Sequence, residues 1–299
     1  MRTTDRKPAF GQRFFIVSSR AASHAPPRAP RALPRDGVLQ PIELLIGTFW
    51  LRPYVFAFLA AFLVIALAEI GPRRTAVWTL VGFAVAFACE YSSTRSGFPF
   101  GLYHYLDGET RHRELWISNV PFMDSLSFVF LSFVSWATAR RILGVSAREE
   151  ATGEIAGRPA VLALGAALMV GIDLICDPVS LRGDRWFLGK IYYYEYPGLF
   201  FGIPLTNFVG WAFVALAVLV TMAGLERRGW LGARPLGPLP RAALWAPAFY
   251  AGIVLFNVAI AFYVDLRAAG LLGLAIVAAV ALALRGRQLV REPGLEQAG

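Results

Sequence analysis

Long apolar runs alternate with short polar breaks along most of this chain. Seven runs, at 54–70, 75–91, 120–143, 159–176, 202–222, 244–264 and 268–284, are each long enough to cross a hydrocarbon core of about 30 Å as a helix. A shorter apolar piece, 42–51, precedes the first run and contains Glu43. It is expected to lie at the membrane interface or to extend the first span. Gly165, Ala166, Ala167 and Gly171 fall inside the fourth span, as close helix packing in lipid requires. The pattern predicts an all-α fold, a polytopic membrane helical bundle of about seven transmembrane helices.

Composition supports that class. The chain is 57% hydrophobic and 16% charged, where a soluble domain carries about a quarter charged residues. A net charge of +9 would point to nucleic acid in a soluble protein. Here the arginines sit in an N-terminal tail and between the apolar runs, so membrane topology accounts for them and no nucleic-acid partner is expected. The face carrying Arg73, Arg74, Arg140, Arg141, Arg227 and Arg228 is the richer in arginine and is expected to be cytoplasmic. Seven spans then put the basic N-terminus on the other face, so the tail and the rule conflict.

Residues 1–37 are rich in Arg, Pro, Ala and Ser. They read as a disordered basic tail, and a position upstream of the native start is one reading of them. The transmembrane domain is placed at 38–285 and a C-terminal tail at 286–299. Cys89 and Cys176 are the two cysteines, too few for a disulfide framework, and read as packing residues. With three histidines and two lysines, neither lysine inside a span, the chain offers no seat for a histidine-rich di-iron centre or a retinal Schiff base. No glycine-rich nucleotide motif appears.

The informative pattern is where the polar residues fall. Consecutive spans run in opposite directions, so the end of the second and the start of the third share a face. Glu90 ends the second span, Asp124 opens the third, Asp173 and Asp177 end the fourth, and Asn207 lies near the start of the fifth. Asn257 and Asp265 lie toward the end of the sixth. All fall in one half of the membrane, on the face where the two aromatic loops 92–118 and 177–201 emerge. A carboxylate at a helix end is often merely solvated, and an acid in a first turn also suits the helix dipole. Asp173 lies a full turn inside its span, where a buried acid is costly and functional by default, and Asp177 shares its helix face at i,i+4.

Three stretches carry a family resemblance. EYSSTRSGFPFGLYHY (90–105), GIDLICDPVS (171–180) and YYYEYPGLFFGIPLTNFVGW (192–211) together resemble the carotenoid biosynthesis family of membrane hydratases, over roughly residues 42–285. The resemblance implies a cofactor-independent hydro-lyase that adds water to the terminal double bond of an acyclic carotenoid end. It also implies a multi-pass protein of a bacterial or archaeal cell membrane. Its partners would be a hydrophobic carotenoid, the lipid bilayer and other carotenoid biosynthetic enzymes.

Such chemistry needs a carboxylic acid that stays protonated, a stabilised tertiary cation and a placed water. Burial and a second nearby carboxylate both keep a carboxyl protonated. Glu90, Asp173, Asp177 and Asn207 are therefore the candidate catalytic residues. Aromatic faces stabilise cations, which makes Phe98, Phe100, Tyr103, Tyr105, Tyr194 and Trp211, with Asp124, the candidate substrate-binding set. Gly97, Gly101, Gly198 and Gly202, with Pro99 and Pro204, would shape re-entrant-type loops on one face, a backbone allowed at membrane depth only under cover. No metal site is expected. Two other readings stay open at this point. Asp173-x-x-x-Asp177 is half of the paired Asp motif of an intramembrane prenyltransferase, with Arg182, Arg185 and Lys190 as diphosphate ligands. A carotenoid-binding or transport protein without catalysis would also use acids within the membrane.

Overall fold

The computed structural model describes residues 39–108, 110–145, 158–232 and 244–291. The tail 1–37 lies outside these residues, as does 292–299. Seven helices are described: α1 (Leu39–Leu51), α2 (Pro53–Ser96), α3 (Phe122–Ile142), α4 (Pro159–Ser180), α5 (Leu205–Arg227), α6 (Trp245–Tyr263) and α7 (Arg267–Arg291). All except α1 are long and apolar enough to cross a membrane.

The 44-residue α2 is two helices in series. Gly71 adopts φ 77° and ψ 169°, a conformation open to glycine and costly for any residue with a Cβ. Pro72 follows, with no N–H to carry the helix across the break. The chain reverses there. Phe62, before the break, and Trp78, after it, both pack on Phe133 of α3, at 5.2 Å and 5.5 Å between ring centres. The two arms therefore run side by side, and the bundle has seven membrane passes, matching the pattern of apolar runs.

α3 is the centre of the bundle. Its most apolar stretch is 83% buried, and the small polar side chains of Ser125, Ser132 and Ser135 are buried along with it. The equivalent figure for α7 is 22%, which places that helix at the periphery. Small residues let the helices meet. A Cβ on Gly165 would lie 3.4 Å from the Trp136 Cα of α3, and one on Gly171 would lie 3.0 Å from the Tyr250 hydroxyl of α6. α7 continues to Arg291, through the first part of the segment read as a tail. Arg287 explains the extension: its guanidinium donates to the Ile142 carbonyl at 3.2 Å and to that of Leu143, covering the open end of α3.

The two ends of the bundle differ in chemistry. At one end, buried Arg74 meets Glu226 at 2.5 Å, and Glu69 lies 3.6 Å from Arg141 and 3.9 Å from Arg140. At the other end the loops form small β-structures that the sequence pattern had not announced. β1 (Tyr103–Tyr105) pairs antiparallel with β4 (Tyr192–Tyr194), with Tyr103 opposite Tyr194 and Tyr105 opposite Tyr192. β2 (Trp116–Ile117) and β3 (Val120–Pro121) form a second pair. α1 lies beside this end, where Thr48 accepts the Leu115 N–H at 2.7 Å. Ile42, Ile46, Phe49 and Trp50 on α1 are exposed, as suits a helix lying in an interface.

Candidate active site

Beneath the tyrosine ribbon lies a cavity of about 130 Å³. Its walls come from α2, α3, α4, α5, α6 and both loops. Its chemistry is two-sided. The polar side holds Glu90, Asp124, Asp177, Asn207 and Asn257; the apolar side holds Phe58, Phe100, Phe128, Phe130, Ile253 and Phe256.

Asp173 and Asp177 stand one turn apart on α4, so both face α5. Asn207, in the first turn of α5, donates its side-chain nitrogen to Asp173 Oδ2 at 2.8 Å and to Asp177 Oδ2 at 2.7 Å. Its two N–H bonds thus clasp two carboxyl groups. Tyr194 adds a third donor, its hydroxyl lying 3.0 Å from Asp177 Oδ2. Asp173 is fully buried, and its Oδ1 has no hydrogen-bond partner among the described residues.

Glu90 forms a second carboxyl centre. It ends a span, as its position in the chain suggested, but it is 3% exposed rather than solvated. Tyr105 donates to its Oε1 at 3.2 Å and Ser125 donates to its Oε2. The Tyr103 hydroxyl reaches that of Tyr105 at 3.4 Å. Burial first, then the neighbouring carboxylates, pushes the Tyr103, Tyr105, Tyr192 and Tyr194 phenols well above their usual range. These hydroxyls keep their protons, and those of Tyr103, Tyr105 and Tyr194 serve as donors. Asp124 lines the cavity from the first turn of α3.

The aromatic wall depends on one glycine. A Cβ at Gly210 would lie 2.5 Å from the Phe100 ring and 3.0 Å from its backbone. Its absence lets the loop settle on α5 and turn Phe100 inward. Phe100 then packs on Phe128 at 5.8 Å, and Phe128 on Trp211 at 4.7 Å.

Of the residues singled out by sequence, Glu90, Asp177 and Asn207 line the cavity, as do Phe100, Tyr103, Tyr105, Asp124, Tyr194 and Trp211. Asp173 stands behind them, reached through Asn207. Phe98 lies elsewhere. It is 59% exposed and rests on Phe213 at 5.3 Å, because the turn at Gly97 points it away from the cavity that Phe100 faces. Asp265 is also outside, exposed and 3.6 Å from Arg267.

Several contributors carried no sequence signal. Arg52, fully buried between α1 and α2, meets Glu114 at 3.3 Å and donates to the Leu188 carbonyl. It thereby joins the start of α2 to both loops over the cavity. Tyr54, Phe58 and Phe256 line the cavity but read in sequence as ordinary membrane aromatics. Both cysteines are free, and Cys176 lines the cavity.

A family model described as carotenoid biosynthesis protein matches residues 36–284, nearly the whole of the described bundle. No curated protein and no solved structure matches the chain significantly.

Proposed function

The chain belongs to the carotenoid biosynthesis family, and from that premise we propose that it hydrates the terminal carbon–carbon double bond of an acyclic carotenoid end. The observation that carries this reading is a small aromatic cavity with two separate carboxyl centres on one side. An engineered apolar cavity of about 150 Å³ takes one benzene molecule. A cavity of about 130 Å³ therefore suits one branched end unit and not a polyene.

The Asp173–Asp177 pair supplies the proton. Two carboxyl groups bound to one amide nitrogen are placed to share one proton, as like charges side by side resist ionising together. Transfer to the less substituted alkene carbon breaks the π bond, forms a C–H bond and leaves a tertiary cation. The faces of Phe100, Phe128 and Trp211 stabilise that cation. Glu90, accepting hydrogen bonds from Tyr105 and Ser125, is suited to hold a water by its remaining lone pairs. As the water oxygen bonds to the cation, Glu90 takes its proton. A proton passing back to the aspartate pair restores the start, and the net change is one added water.

The cavity lining argues against a prenyl diphosphate. No Lys or Arg appears among the described residues that line it, and Arg185 instead points to the Val264 carbonyl at 3.5 Å. The direct test is expression of the full chain in a bacterium that accumulates lycopene, followed by pigment mass spectrometry. A mass gain of one water per end, absent with Glu90→Gln and Asp177→Asn, is the expected result. Unchanged pigment with both lycopene and a longer acyclic carotenoid would overturn the reading. Hydration that persists in both variants would move the chemistry away from this site.

A further inference from the structure

A cavity sized for one end unit leaves the rest of a long substrate without a place inside the protein, so the chain must pass out through a wall. The seam between the first arm of α2 and α6 is closed by rings. Tyr54 stacks on Phe256 at 5.5 Å with 21° between planes, and Phe58 meets Phe256 at 5.4 Å and Phe249 at 6.0 Å. Tyr54, Phe58 and Phe256 also line the cavity, and none of the three is fully buried. They therefore border the cavity and are also partly accessible from outside.

Gly252 sits in the same seam. It lies three residues after Phe249 and four before Phe256, on the helix face they share. It is exposed, and a Cβ built on it would meet nothing within 4 Å. Gly165, Gly171 and Gly210 serve contact, since a Cβ on any of them would meet a neighbour, whereas Gly224 of α5 shares the open setting of Gly252. Gly252 has no such neighbour, so the helix surface beside Phe249 and Phe256 is bare at that position.

We propose that the seam between the first arm of α2 and α6, open at Gly252 and gated by Phe58 and Phe256, is a lateral passage through which an unbranched-to-lightly-branched apolar chain lies half in the protein and half in lipid while its end unit occupies the cavity. This rests on the hydratase reading for the identity of the chain, but the passage is defined by geometry alone. Turning the Phe58 and Phe256 rings about their side-chain bonds opens the cavity to lipid without moving a helix. Apolar rings suit that duty, since the passage stays dry and the cation inside is not reached by bulk water.

Two readouts test the passage. The first compares a full-length acyclic carotenoid with a short water-soluble alkene bearing the same end unit, in membranes holding wild type, Gly252→Leu or Gly252→Trp. Filling that position should lower turnover of the long substrate about tenfold or more and leave the short one unchanged. Equal effects on both substrates, or none on either, would overturn the passage. The second uses a long isoprenoid with a photoreactive diazirine in mid-chain and maps the adducts by mass spectrometry. Adducts on the first arm of α2 and on α6 around Gly252 are expected, whereas adducts confined to other helices sink the proposal. If wild type hydrates neither substrate, the hydratase reading fails and the adduct map still decides the passage.

Discussion

The side-chain nitrogen of Asn207 lies 2.7 Å from Asp177 Oδ2, across the α4–α5 interface. The same nitrogen holds Asp173, so one amide sets the spacing of two acids. Asn207→Leu keeps the volume and removes the clasp. Turnover should fall by about 100-fold or more, the range over which positioned acid–base groups act. Asn207→Gln, with a longer reach, should recover part of it. Pigment hydration per unit of folded protein, scored by fluorescence-detected size exclusion, checks both variants. Equal hydration by Asn207→Leu and wild type would remove the clasp from the mechanism.

The tyrosine ribbon makes a graded prediction. Tyr194 and Tyr105 each donate one hydrogen bond to a carboxyl group. Their replacement by Phe keeps the ring in the cavity wall and removes the bond. A single hydrogen bond to a charged group contributes about 1.5–3 kcal/mol. Each variant should therefore lose about tenfold to a hundredfold in rate, less than loss of Asp177 itself. Initial rates in isolated membranes give the ranking, and a Phe variant slower than Asp177→Asn would contradict it.

Arg52 and Glu114 should govern stability more than chemistry. Neither is exposed beyond 1%, and removing one partner of a buried pair costs about 3–5 kcal/mol. Arg52→Met and Glu114→Leu should each lower the melting temperature in detergent. The double variant, which leaves no charge stranded, should regain much of the loss. An additive double variant would show that the pair is not coupled.

A chelator separates the chemistry from its metal-dependent rival. Hydration by carboxyl groups should continue unchanged in EDTA, whereas a diphosphate-transferring enzyme would stop and recover with Mg²⁺. Loss of hydration in EDTA, restored by a divalent ion, would place a metal in the reaction.

The outline of this fold was legible because lipid imposes a simple rule: apolar runs of helical length cross, and breaks do not. The turn at Gly71–Pro72 showed in sequence only as the break between the runs 54–70 and 75–91. The positions of the acids and amides along their spans put Glu90, Asp177 and Asn207 in one half of the membrane. Detail below that scale was hidden. Strands of three residues, such as Tyr103–Tyr105, are too short to show alternation, so the ribbon left no trace. Phe98 and Phe100 are two residues apart in one aromatic loop, and only the turn geometry decides which ring faces in. Arg52, beside a proline at the start of a span, looks like an ordinary flanking charge. Its partner Glu114 lies 62 residues away, in a loop with no periodicity to place it.

The size of the cavity has a consequence for what the cell would see. A chamber that closes around one terminal unit takes no measure of what is attached to it. Such a hydratase would be blind to length and to the far end of the molecule. Carotenoids of different carbon number, or with one end already cyclised, would be equivalent substrates as long as one free terminus remains. For a symmetric molecule the two ends would react in separate visits, and the singly hydrated species would appear first and then disappear.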